Sequence, residues 1–171
     1  FFFIATATTV FYTLSLHDAL PIYCCGYRVL VLECHKPSAI RRKVSFGEAV
    51  FDGTSAVEGV TGRLISDIAD AEKIWEAKEI PILVDETGET AKKLKPAALI
   101  DAILAKKNLG TNRDMASLTV ALGPGFEAGK DVDFVIETQR GHNLGRVERS
   151  EEHTSELQSH HDLVCRLLLE K

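Results

Sequence analysis

The sequence predicts an α/β fold with a mostly parallel sheet and flanking helices, and three observations support this prediction. Short runs such as "YRVLVLE" (27–33) and "IPILVD" (80–85) contain Val, Leu and Ile in succession, which is typical of strands buried on both faces. A segment with apolar residues at helical spacing, 66–79, precedes the second of these runs. Apolar strands that alternate with helices and short polar loops indicate a largely parallel sheet.

The remaining elements follow from the same patterns. Five apolar runs are predicted to be strands: 27–33, 80–85, 97–104, 117–123 and 132–138. The segment 66–79 is predicted to be a helix because five of its residues recur at helical spacing: Ile68, Ala71, Ile74, Trp75 and Lys78. Ser45, with Glu48 three residues later, forms a capping pattern that predicts the start of a short helix. Glycines interrupt 55–65, which predicts a hairpin or an added strand.

Length and composition narrow the possible classes of protein. With 171 residues, of which 45% are hydrophobic, the chain is long enough for one domain with a core. A net charge of −5 argues against nucleic acid as the main partner, because phosphate binding needs a basic face. No apolar run approaches the roughly 20 residues that span a bilayer, so we expect no membrane partner. Four cysteines without regular spacing favour a reducing compartment, the cytoplasm.

Both ends of the chain differ in character from its middle. The start, 1–22, and the end, 149–171, resemble the conceptual translation of sequencing-library adapters, "YTLSLHDALPI" and "RSEEHTSELQS" being the clearest parts. The tail contains potential zinc ligands, His153, His160, His161 and Cys165, but their spacing fits no common zinc pattern, and no metal is expected. We therefore expect the native domain to be 23–148, which contains 17 Lys and Arg against 19 Asp and Glu.

Candidate ligand-binding residues are those that follow the strands, because ligands of parallel sheets bind beyond the carboxyl ends of the strands. Glu33 ends the first strand, where an acid can accept hydrogen bonds from ribose hydroxyls; the alternative is an acid that only faces solvent. No glycine-rich dinucleotide motif precedes it.

The sequence "LGPGF" (122–126) follows the fourth predicted strand and could approach a ligand closely. Gly123 and Gly125 allow a tight turn on either side of Pro124. The N–H groups of Gly125 and Phe126 could hold a phosphate or carboxylate, whereas proline has no N–H to donate. The alternative is a simple turn that leaves the strand.

Basic residues follow two other strands. Lys106, Lys107 and Asn108 come after the third predicted strand, where they would attract an anion, although a solvated loop would look the same. Arg140 and His142 lie in the loop 137–146 after the last strand. Arginine suits bidentate anion recognition, and histidine can exchange a proton near neutral pH. No pattern assigns a catalytic residue, so these residues predict a site for an anionic small molecule.

Several long motifs resemble one known family. The segments "LECHKPSAIRRKVSFGEAVFDG", "VEGVTGRLI", "DAILAKKNLGT" and "DMASLTVALGPGFEAGKDVDFVIETQRGHNLGRV" resemble the selenium-dependent molybdenum hydroxylase system proteins, the YqeB-type family. The resemblance covers nearly all of 26–147. It implies a Rossmann-like fold and a bacterial accessory role in the maturation of molybdenum hydroxylases that need labile selenium, with a nucleotide or a molybdopterin-type cofactor as ligand and a molybdenum hydroxylase as partner.

The chain also departs from the family pattern. Members begin with a strand and a glycine-rich loop similar to "GAGDLATG", which this sequence lacks, and they continue beyond "RGHNLGRV". The resemblance therefore implies an incomplete sheet and a fragment without activity of its own. Two other functions stay open: a fragment of a nicotinamide-dependent oxidoreductase, and a non-catalytic scaffold that delivers a cofactor. The sequence indicates neither the oligomeric state nor the identity of the ligand.

Overall fold

The computed structural model describes residues 2–3, 19–37, 46–103 and 105–149. Three of the features predicted above lie outside this part of the chain. They are the capping residue Ser45, the histidines of the tail, and Cys165.

The described residues form nine strands and four short α-helices, with 3-10 turns at Phe46–Glu48, Ile68–Asp70 and Arg113–Met115. The strands are β1 (Phe2–Phe3), β2 (Val31–Glu33), β3 (Thr54–Val57), β4 (Val60–Ile65), β5 (Ile80–Val84), β6 (Leu99–Asp101), β7 (Thr119–Leu122), β8 (Phe134–Ile136) and β9 (Val147–Arg149). The helices are α1 (Ala19–Cys24), α2 (Ala49–Asp52), α3 (Ala71–Glu76) and α4 (Glu89–Leu94). Each of the five predicted apolar strands is present, although shorter than its apolar run.

The strands form two sheets. The first has the order β1-β2-β5-β4-β3, and the second has the order β6-β7-β8-β9. β2, β5 and β4 are parallel to one another, as are β6, β7 and β8, whereas β1, β3 and β9 pair antiparallel. The predicted α/β class with mostly parallel pairing is thus confirmed. In the second sheet, the loops after β6 and β7 leave neighbouring strands at the same edge.

The glycine-punctuated stretch forms a hairpin, one of the two alternatives predicted for it. β3 and β4 pair antiparallel, with Val57 opposite Val60. The two turn residues, Glu58 (φ 50°) and Gly59 (φ 84°), both have left-handed backbone angles. Two such residues in succession match the twist of a two-residue hairpin.

The predicted helix over 66–79 is shorter than its pattern. Asp67 caps a 3-10 turn at 68–70 by accepting a hydrogen bond from the N–H of Ala69 at 2.8 Å, and α3 continues from it. The helix ends at Glu76. Lys78 lies beyond the helix with a φ of 59°, so its predicted helical position is wrong. A lysine leaves the helix at low cost because its charge stays hydrated.

One hydrophobic core extends over both sheets. It includes Leu32 of β2, Ile82 of β5 and Leu99 of β6, all fully buried. Phe46, also buried, packs in the same core. A smaller cluster lies under the second sheet and consists of Ala121, Phe126, Ala128, Val132 and Val135. The two sheets therefore share one packed core, although no ladder of backbone hydrogen bonds joins the described strands of one sheet to those of the other.

Two elements cross the predicted limits of the native domain. α1 runs over the boundary between Ile22 and Tyr23, and its residues Ala19 and Leu20 are buried. β9 runs over the boundary at Glu148. These placements do not test where the native sequence starts and stops, so both boundaries stay predictions. In the part of the chain that the structure describes, no helix has the length and apolar character needed to cross a bilayer.

Candidate functional site

Two of the predicted binding loops are in backbone contact. A β-carbon built on Gly125 would lie 2.6 Å from the Cα of Lys107, 2.7 Å from its N and 2.9 Å from the carbonyl carbon of Lys106. Real β-carbons do not approach backbone atoms this closely, so the contact requires glycine. The loop after β7 thus rests directly on the loop after β6. We call Lys106, Lys107, Gly125 and Phe126 the two-loop site.

Backbone angles in the two-loop site are unusual on both sides. Gly125 has a φ of 103° and Lys106 a φ of 58°. Glycine adopts such angles without cost, whereas a left-handed lysine is uncommon and needs support from its surroundings. Left-handed residues turn successive N–H groups toward a common point, which is how backbone anion sites form.

The donors of the two-loop site are available to a ligand. Among the described residues, the N–H groups of Lys106, Lys107, Gly125 and Phe126 donate to no protein acceptor. Lys106, Lys107 and Gly125 are exposed. Neither lysine ammonium forms an ion pair with a described residue. Three exposed residues of the site therefore offer backbone donors, and its lysines add two positive charges, whereas Phe126 is buried.

Phe126 anchors its loop in the smaller core cluster. Phe126 is 7% exposed as a whole residue, and its side chain packs in that cluster. At the other end of the loop, the N–H of Gly123 donates to the carbonyl of Ile136 at 2.9 Å. Gly123, a predicted binding residue, is buried and joins the loop to the end of β8. The two anchors hold the exposed Gly125 between them.

A buried polar clasp holds the loop after β6. Asp101, the last residue of β6, is 1% exposed and accepts hydrogen bonds from the Thr111 hydroxyl and from the N–H of Ile103, the latter at 3.0 Å. Thr111 is 2% exposed. Because a buried carboxylate is costly without donors, the clasp fixes both ends of the loop that contains the lysines.

Asn108 shapes this loop from within. Its side-chain oxygen accepts from the N–H groups of Gly110 and Thr111, both at 2.8 Å, and its amide nitrogen donates to the carbonyl of Thr111 at 2.8 Å. Asn108 was predicted as a ligand-binding residue. In the structure, its amide is engaged in the turn that follows the lysines.

Glu33 is buried at the carboxyl end of β2. It is 6% exposed, and its Oε1 accepts a hydrogen bond from the N–H of Cys34 at 2.8 Å. Burial raises the pKa of Glu33 to about 7, against the lowering effect of the Cys34 hydrogen bonds. Burial and the adjacent carboxyl also raise the pKa of the Cys34 thiol. Near neutral pH, the Glu33 carboxyl can therefore both donate and accept hydrogen bonds.

Arg140 and His142 lie on the exposed connection between β8 and β9. Two backbone hydrogen bonds join the start of this connection to its end. The N–H of Glu137 donates to the carbonyl of Arg146 at 2.9 Å, and the N–H of Gly145 donates to the carbonyl of Glu137 at 2.8 Å. Within the described residues, no hydrogen bond or ion pair links Arg140, His142 or Glu33 to the two lysines. The structure thus joins the loops after β6 and β7, and no described hydrogen bond or ion pair joins the other candidates to them.

The structure also reveals residues that the sequence patterns did not single out. Asp101 and Thr111 form the clasp; a lone acid within the apolar run "AALIDAIL" was the available signal. Asp133 accepts from the N–H and the hydroxyl of Thr119, both at 2.8 Å, and from Arg113. Although burial opposes it, these hydrogen bonds lower the pKa of Asp133. Among the described residues, no group of three or more His, Cys, Asp or Glu side chains could hold a metal ion.

The chain is similar to a bacterial protein of greater length. It is 54% identical over 129 residues to the "Uncharacterized protein YqeB" of Escherichia coli (strain K12), an alignment that covers 75% of this chain. This similarity supports the predicted relationship to the YqeB-type family. The chain spans 24% of the length of that relative. No family model matches the sequence, and no solved structure matches it.

Proposed function

We propose that this chain is part of an accessory protein for the maturation of selenium-dependent molybdenum hydroxylases, and that the two-loop site binds the anionic part of a nucleotide or molybdopterin-type ligand. The contact of Gly125 with the backbone of Lys106 and Lys107 carries the binding proposal. It brings unpaired N–H groups and two ammonium groups to the carboxyl ends of neighbouring parallel strands. Ligands of α/β sheets bind at this edge.

The order of the strands supports a Rossmann-like arrangement. β1 pairs with β2 and lies beside β6 as well, so the two sheets meet at β1. Read across both sheets, the order is β3-β4-β5-β2-β1-β6-β7-β8-β9, with the inner part β5-β2-β1-β6-β7-β8. Doubly wound folds of the order 3-2-1-4-5-6 have the same pattern as this inner part, and they bind ligands in the crevice where the order reverses. One difference is that β1 runs antiparallel to β2, whereas the central strand of those folds is parallel. The strand at the centre of this order, β1, comes from the segment 1–22 that the sequence predicts to be non-native.

Glu33 would supply a second contact to the same ligand. It ends β2, and the two-loop site follows β6, so the two would flank the crevice at β1. A carboxyl that can donate or accept suits the hydroxyl groups of a ribose or the N–H groups of a pterin ring. Its burial favours an interaction with a ligand group that displaces water.

The maturation role rests on the resemblance to the YqeB-type family rather than on the geometry of the site. Its partner would be a molybdenum hydroxylase in the cytoplasm. A scaffold that delivers a cofactor would bind the ligand without turning it over. Co-purification of a hydroxylase with the longer E. coli relative tests the partnership; a relative that binds none, under conditions in which labile selenium is supplied, would contradict it.

The binding proposal can be tested on this chain with AMP as the probe. Lys106→Ala and Lys107→Ala should each weaken AMP binding by about tenfold in calorimetric titrations at low salt, because each removes a charge close to the phosphate. Lys93→Ala is the matched control, because Lys93 is exposed on α4. AMP affinity that stays unchanged in both site variants would refute the site.

A nicotinamide-dependent oxidoreductase is the second candidate, and the strand order favours it. Such an enzyme needs a dinucleotide with a bridging diphosphate. Titration of the chain and of the E. coli relative with NADH tests it, and absence of NADH binding by both would remove this candidate.

A further inference from the structure

We infer that the two-loop site takes a single terminal phosphate monoester, as its dianion, and not the bridging diphosphate of a dinucleotide. This inference rests on the proposed function, because it specifies the anion that the same site would bind. Three features of the described residues support it: the grouping of the donors, the course of the chain after each loop, and the balance of charge around the lysines.

The donors are grouped closely enough for one phosphate. Pro124 has no N–H, so the loop after β7 contributes two adjacent backbone donors, those of Gly125 and Phe126. The loop after β6 contributes the donors of Lys106 and Lys107. Because Gly125 touches the Lys107 backbone, the residues that carry these donors lie in one small patch. The three terminal oxygens of a phosphate monoester can accept several such hydrogen bonds at once.

Neither loop leads into an α-helix within the described residues; the loop after β6 is followed by a single 3-10 turn, Arg113–Met115, which the side chain of Asn112 caps. Dinucleotide sites place the diphosphate at the N-terminus of a helix that follows a glycine-rich turn, where the helix dipole stabilises it. Here the chain after Phe126 forms a tight turn instead, with the N–H of Asp131 donating to the carbonyl of Glu127 at 2.9 Å and a bridge between Ala128 and Val132. The positive potential of the site therefore comes from its lysines.

The charge of the two lysines matches a dianion. The acids closest in sequence are engaged elsewhere: Asp101 in the buried clasp, Glu127 with Lys130 at 3.0 Å, and Asp131 with the N–H of Glu127 at 2.9 Å. Two ammonium groups would balance the two charges that a phosphate monoester carries above its second pKa, about 6. Each phosphate of a bridging diphosphate diester carries only one.

A pair of matched probes tests the inference on this chain. AMP and its 5′-phosphate methyl ester differ in one methyl group and, at pH 7.5, in one negative charge. AMP should bind about tenfold more tightly than the ester by calorimetry at pH 7.5, and NAD should bind as weakly as the ester. At pH 5, where AMP is mainly a monoanion, the ratio of AMP to ester affinity should approach one.

The variants separate this inference from the proposed function. Lys107→Ala should reduce the ratio of AMP to ester affinity at pH 7.5, whereas Lys93→Ala should leave it unchanged. If AMP, the ester and NAD bind equally and Lys107→Ala weakens all three, the anion site stands and the monoester preference is wrong. If Lys106→Ala and Lys107→Ala affect none of them, both the site and its preference are wrong.

Discussion

Gly125 lies so close to Lys107 that a β-carbon at position 125 would stand 2.6 Å from the Lys107 Cα. The two residues belong to loops that follow adjacent parallel strands, and neither loop could hold this position if the other moved. The contact therefore links the shape of one loop to the placement of charge on the other.

Gly125→Ala should destabilise the fold and weaken AMP binding together. The added methyl group must push the Lys106–Lys107 backbone away, which we expect to cost about 1–3 kcal/mol beyond the strain of a left-handed alanine. Gly59→Ala is the matched control: Gly59 also has a positive φ, of 84°, but nothing lies within 4 Å of its virtual β-carbon. Urea denaturation compares the two variants, and equal losses of stability would contradict the prediction.

Thr111→Val should release the loop that carries the lysines. Valine keeps the shape of threonine but removes the hydroxyl that Asp101 accepts from, so a buried carboxylate loses a donor at a cost of about 1–3 kcal/mol. Thr111→Ser retains the hydroxyl and should lose less stability. Hydrogen exchange at the N–H groups of Gly110 and Thr111, which donate to Asn108 in this loop, should accelerate in the valine variant. Exchange that is the same in both variants would show that the clasp does not hold the loop.

Glu33 should make the stability of the fold depend on pH. Its pKa is about 7 in the fold and 4.5 for an ordinary glutamate, so the folded protein holds the proton more tightly than the unfolded chain does. The stabilisation from this proton is complete below pH 4.5 and is lost as the pH rises through 7, by about 3 kcal/mol in total. Glu33→Gln should remove this loss. Denaturation curves at pH 5 and pH 8 measure the free energy of unfolding of the wild type and of Glu33→Gln. An equal loss in both proteins between these pH values would contradict the prediction.

Gly62→Ala should disturb the core without affecting the two-loop site. Its β-carbon would lie 2.6 Å from Cδ1 of Phe46 and 2.8 Å from Cδ1 of Ile82. Overpacking of this kind costs about 1–3 kcal/mol. Ile82→Val removes the Cδ1 methyl group, one of the two atoms that the added β-carbon would meet. The double variant should therefore regain part of the stability lost by Gly62→Ala. A double variant less stable than the sum of the two single changes would refute this account.

The strands and their class could be predicted from the sequence because the apolar runs are local signals. The run 27–33 places Val and Leu in succession, which is typical of strands buried on both faces, and all three residues of β2 are buried. The hairpin was predictable for the same reason, since Glu58 and Gly59 interrupt two apolar segments. The division into two sheets was not, because it depends on pairing between strands that are far apart in the sequence.

The candidate site was predicted in pieces. Lys106, Lys107 and Gly125 were each identified from their position after a strand, but their contact depends on β6 and β7 being neighbours. The role of Asp101 was hidden because its partner Thr111 lies ten residues away across a loop. For Arg140, His142 and Glu33, a shared role with the lysines stays a prediction.

The core that extends over both sheets has a thermodynamic consequence. Leu32, beneath Glu33, and Leu99, next to the clasp of Asp101, pack in the same cluster. Neither sheet can lose its packing alone without exposing the apolar face of the other, so we expect the described residues to unfold in one cooperative step. A proton taken up at Glu33 then raises the free energy of unfolding of the second sheet as well, although no described hydrogen bond connects Glu33 to that sheet.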